Sequence, residues 1–149
     1  MPPDTHPAPD FAARLRGSFI ALLKWEQFDQ AWQALAQRAD EGWYVYAIGE
    51  APPETPASAE EFRRFLSEIS ELLHREHEHD YCGIVYVDDR EKPELVKIYD
   101  PNNLGVVCGY SENPPLPGWV ISRQKPAPIE APTPPTGNRR RWWQRLFGK

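Results

Sequence analysis

SAEEFRRFLSEISELLHREHEHDYCGIVYV, residues 58–87, decides how this chain is read. Ser58 followed by Glu61 makes a capping box, in which each side chain satisfies an orphan backbone N–H at the start of a helix. Phe62, Phe65, Leu66, Ile69, Leu72 and Leu73 then fall on one stripe, while Glu60, Arg63, Arg64, Glu68, Glu71 and Arg75 face water. An apolar stripe of that length has to cover a second layer. Residues 81–87, apolar and rich in β-branched and aromatic side chains, read as a central strand, and a polar turn at 88–93 leads to another strand at 94–99.

Working outward toward the N-terminus, residues 49–57 hold three prolines and read as a loop, and residues 43–48 (WYVYAI) read as a strand. Gly42 is placed to end a helix that carries Phe28, Trp32, Leu35 and Ala39. Before it, Phe11, Leu15, Phe19, Leu22 and Leu23 recur at helical spacing after the N-cap candidate Asp10, which predicts either two helices or one bent one. Residues 1–9, with four prolines, read as an unstructured leader. Toward the C-terminus, 100–105 (DPNNLG) is a turn by its chemistry, followed by short strands at 106–109 and 119–122 around a Pro-rich loop. The expected fold is α+β: a mixed four- to five-stranded sheet containing a βαβ unit (strand 43–48, the helix after Ser58, strand 81–87), covered by about three helices. The expected organisation is a leader at 1–9, one domain at 10–124, a Pro-rich linker at 125–137 and a basic amphipathic tail at 138–149.

Charge divides the chain unevenly. Residues 138–149 (NRRRWWQRLFGK) hold Arg139, Arg140, Arg141, Arg145 and Lys149 and no carboxylate, although the whole chain carries a net −5 from 17 basic and 22 acidic groups. Removing those five leaves 12 basic against 22 acidic groups, so residues 1–137 carry −10. If the tail is helical, Trp142, Trp143, Leu146 and Phe147 fall within an arc of about 140°, with Arg141, Gln144 and Arg145 opposite, at about 100° per residue. Arg139 and Arg140 do not fit that division. The preceding prolines predict an extended spacer that carries the tail clear of the domain, and so short a helix forms only on contact. Arg139, Arg140, Arg141, Trp142, Trp143, Arg145, Leu146 and Phe147 are therefore the candidate residues for binding a protein partner or an anionic membrane surface. Five charges on an acidic body argue against nucleic acid, which leaves a nucleic-acid-binding regulator as a weaker alternative.

The second cluster is His74, His77, His79 and Cys82. His74 and His77 share a helix face, and His79 or Cys82 would complete a metal site if the chain turned back, which defines the alternative of a small metal-dependent enzyme. The order HREHEH lacks the HExxH arrangement, and histidines in a last helical turn are favoured by the helix dipole, so no metal and no cofactor is expected. Asp88, Asp89 and Asp100 read as turn formers. No GxSxG elbow, phosphate loop or GxGxxG fingerprint is present, and no residue is singled out as catalytic. Cys82 and Cys108 read as buried free thiols, and Trp25, Trp32, Trp43, Tyr44, Tyr46 and Trp119 as core. The chain shows neither a signal sequence nor an apolar run of spanning length, which predicts a cytoplasmic protein, peripheral at the inner membrane face if the tail binds lipid. The function expected is that of a non-catalytic accessory or adaptor protein whose acidic domain binds a protein and whose tail docks.

Overall fold

A computed structural model describes residues 10–77, 79–80, 82–101, 116–129 and 136–147. In chain order its elements are α1 (Phe11–Leu15), β1 (Ile20–Ala21), α2 (Trp25–Gln37), β2 (Tyr44–Ala47), α3 (Ala59–Glu76), β3 (Val85–Val87), β4 (Leu95–Ile98), β5 (Trp119–Ser122) and α4 (Gly137–Phe147). The fold is α+β, with five strands in the order β1-β3-β4-β5-β2. The leader, the strand expected at 106–109 and Cys108 lie outside the described residues.

Local chemistry sets the element ends. Ser58 Oγ accepts from Glu61 N at 3.1 Å and Glu61 Oε1 accepts from Ser58 N at 2.9 Å, the reciprocal box read from sequence. Asp10 Oδ1 caps α1 by accepting from Ala13 N at 2.7 Å. Gln27 Oε1 takes the N–H groups of Leu23 and Lys24, which starts α2 without a short polar cap residue. Gly42 sits at φ 86, where an L side chain is strained, and turns the chain from α2 into β2.

Two expectations are corrected. Every strand pairing among the described residues is antiparallel, so the sheet is not mixed. β2 and β3 are not parallel neighbours across a βαβ unit: β4 and β5 lie between them and three reversals separate their directions. Apolar content marks a strand but carries no information on its direction, and β5, buried at all four residues, inserts centrally instead of extending an edge. The second correction concerns 16–23. α1 ends at Leu15, and Ile20–Ala21 instead pair with Val87 and Tyr86 as an edge strand. A helical stripe would have buried Leu23, yet Leu23 is 58% exposed while Leu22 is 2% exposed, the alternation of a strand.

The sheet is covered on both faces. On one, Val45, Ala47, Val85, Val87, Val96, Ile98, Trp119 and Ile121 pack against the apolar sides of α2, α3 and α4. On the other, Phe11 and Leu15 of α1 meet Tyr46, Leu95 and Val120, with Leu116 and Ile129 at the margin. The tryptophans within the main core keep their N–H groups satisfied: Trp32 donates to Leu66 O at 3.0 Å and Trp43 to Arg38 O at 2.8 Å. Trp43 stacks on Phe62 at 5.3 Å between ring centroids, and Arg38 and Arg123 flank the indole at 5.1 and 5.6 Å.

Candidate docking helix

α4 is the element on which the candidate residues converge. It packs against α3 and is not carried clear of the domain: Trp142 and Leu146 are buried in the main core, and Trp143 and Phe147 pack partly buried at its edge. Phe65 of α3 lies 6.3, 6.2 and 6.1 Å from the rings of Trp142, Trp143 and Phe147, and Trp119 of β5 meets Trp142 edge-on at 5.5 Å. The spacer is also tied down where it is described, since Ile129 N donates to Tyr46 Oη at 2.8 Å. The physical reason is burial. Four large apolar side chains on one helical face gain more from an available groove of their own domain than from water.

Arg139, which does not fit the polar side of the helical wheel, lies in the middle of the buried face and is only 8% exposed. Its guanidinium forks two carboxylates at once. Nε and Nη2 donate to Asp100 Oδ2 and Oδ1, each at 2.9 Å, while Nη1 and Nη2 donate to Glu76 Oε2 and Oε1 at 3.0 and 2.7 Å. Glu76 is the last residue of α3, and Asp100, 7% exposed, follows β4, so the fork ties α4 to two other elements. Gly118 makes room for it, because a Cβ there would come within 3.0 Å of Asp100 Cβ. The hydrogen bonds from Arg139 hold the Glu76 carboxyl below its ordinary pKa, outweighing the effect of burial. For Arg139 itself, burial opposes the charge, but the bonds to Asp100 and then Glu76 prevail and raise its pKa.

Both ends of α4 are satisfied. Thr136 O accepts from Arg140 N at 3.0 Å, and Arg64 Nη2 of α3 donates to Arg145 O at 3.3 Å. What α4 turns outward is Arg140, Arg141, Gln144 and Arg145, all exposed. Arg140 reaches only to 4.0 Å from Glu50, and Arg141 bonds Asn138 Oδ1 at 2.6 Å. Arg64 is brought alongside by the fold, a basic residue that the tail sequence alone could not supply. Arg139 was legible in part: a charge at the centre of an apolar arc requires buried carboxylates opposite it.

The histidine cluster has a different role. His74 stacks on Trp25 at 4.1 Å, the buried His77 holds Cys82 O through Nε2 at 2.8 Å, and His79 O accepts from Trp25 Nε1 at 2.9 Å. These contacts fasten the end of α3 to α2 and to the strand that follows. Among the described residues, no three His, Cys, Asp or Glu side chains come together as metal ligands. Cys82 is a buried free thiol whose pKa burial raises. Asp88 Oδ1 accepts from Glu94 N and Leu95 N at 3.0 and 3.2 Å, and Asp89 Oδ1 from Glu91 N and Lys92 N at 2.8 and 3.2 Å, as turn formers do. No helix among the described residues is long and apolar enough to cross a membrane. No protein-family model, no curated protein and no solved structure matches the chain.

Proposed function

We propose that the protein is a non-catalytic accessory or adaptor whose acidic domain engages a protein partner and whose basic helix α4 supplies the docking face. The observation that carries the reading is the two-sided character of α4: Arg139, Trp142 and Leu146 anchor it, which leaves Arg140, Arg141 and Arg145 exposed as a rigid basic strip. A strip held by buried anchors loses little freedom when it binds, and on an otherwise acidic body it orients the approach of an anionic partner. The burial of Trp142 and Leu146 supports an acidic protein surface over a bilayer, because it withdraws apolar area that membrane insertion would use.

The test compares wild-type protein with the triple variant Arg140→Glu, Arg141→Glu, Arg145→Glu, whose changes leave the buried anchors in place. Affinity recovery of a specific partner should be lost in the variant and should weaken with salt in the wild type. Binding of both proteins to phosphatidylserine vesicles is measured in parallel. Unchanged recovery of partner would overturn the reading, and vesicle binding without partner recovery would move it to the membrane.

A further inference from the structure

Release of α4 would create two surfaces at once. It would empty a seat formed by Phe65, Glu76, Asp100 and Trp119, and it would bare the Arg139, Trp142 and Leu146 face that fills that seat. Neither is stable alone: the seat would hold two neighbouring carboxylates without their shared guanidinium, and the helix would expose its anchors. Complementary surfaces carried on one chain close equally well between two copies, and do so reciprocally. We infer that the α4 seat is a self-association site that takes the α4 helix of a second copy, giving a two-fold dimer with exchanged helices.

Three features support exchange over a permanently closed chain. The fork matches one planar cation to two carboxylates in a fixed geometry, so the seat selects an arginine followed at three and seven residues by Trp and Leu, and α4 supplies that pattern. The helix does not sustain itself. Its N-terminal turns carry Arg139, Arg140 and Arg141 and no acidic residue, against the helix dipole, so Glu76 and Asp100 provide the negative charge it lacks. It therefore passes from seat to seat and does not persist free. Finally, Ile129, held by Tyr46 on the far face of the sheet, is joined to Thr136 by the sequence EAPTPP. Pro-rich sequence favours extension over turning back, and short hinges of that kind lower the cost of exchange. An exchanged dimer would present two arginine strips and so bind a repeated anionic surface bivalently.

The test uses full-length chains and no anionic partner, so its outcome is separate from that of the docking reading. One copy carries Arg64→Cys and the other Arg145→Cys, both at exposed positions whose side-chain and backbone atoms meet at 3.3 Å within one chain. The mixture, at high concentration, is warmed into the foot of its unfolding transition, cooled and treated with a short bis-maleimide. A covalent heterodimer should form in the mixture above the background of either variant alone. It should fall at least about fivefold when the Arg145→Cys copy also carries Arg139→Ala, because the fork is lost. A chain bearing both cysteine substitutions is the control. If it links internally while the mixture gives no heterodimer, exchange is overturned, and if it fails to link internally, the seat itself is overturned.

Discussion

Substituting Arg139→Ala removes the one cation that serves two carboxylates, and its consequence can be worked through. Asp100 is 7% exposed and Glu76 is half-buried, so the variant strands two adjacent negative charges in and beside the core. Breaking a buried ion pair by deleting one partner costs about 3–5 kcal/mol. Partial solvation of Glu76 places the expected loss near the lower end, about 3 kcal/mol, and the chain can limit it by letting α4 go. Release would uncover Trp142 and Leu146, so the loss of stability should come with a red shift in tryptophan emission before global unfolding. Urea titration followed by far-UV circular dichroism and fluorescence measures both. Adding Glu76→Gln to Arg139→Ala should recover part of the loss, since it discharges one stranded carboxylate. A variant within about 0.5 kcal/mol of wild type, with no change in emission, would refute the role assigned to the fork.

Acid should loosen the same contact. Because Arg139 lowers the folded-state pKa of Glu76 below its ordinary 4.5, the stabilisation is complete well above that value and is lost as pH falls through the folded pKa. Urea midpoints measured on the acid side of neutrality should decline more steeply in wild type than in Arg139→Ala. Gly118→Ala should weaken the seat, since its Cβ would meet Asp100 Cβ at 3.0 Å, and a cost of about 1–3 kcal/mol is expected in the same titration. Cys82, buried and with its thiol pKa raised, should resist iodoacetamide in the native protein and react once urea unfolds the chain, as read by peptide mass spectrometry.

Much of the fold was legible because its signals are local. The Ser58–Glu61 box, the stripe from Phe62 to Leu73 and the β-branched runs around Val85 and Val120 each announce an element without reference to the rest. Strand direction was not legible, since Val, Ile and Tyr pack equally well in parallel and antiparallel ladders, and the place of β5 between β4 and β2 depends on contacts distant in sequence. Residues 19–23 misled because Phe19, Leu22 and Leu23 satisfy a helical period by chance, whereas pairing with Val85–Val87 decides the outcome. In the docking helix, the apolar arc and the opposing arginines were visible in the sequence. What could not be seen was that Phe65 and Trp119 form a groove for that arc, or that Glu76 and Asp100 stand on either side of Arg139.

The central claim is that α4 belongs to the folded domain and offers its arginines from a fixed position. Amide hydrogen exchange on the full-length chain tests it most directly, read over residues 140–146. The account predicts protection of these amides well above that of an unfolded peptide, with loss of that protection in Arg139→Ala while α3 stays protected. Exchange of 140–146 at the rate of an unstructured peptide in the wild-type protein would contradict it.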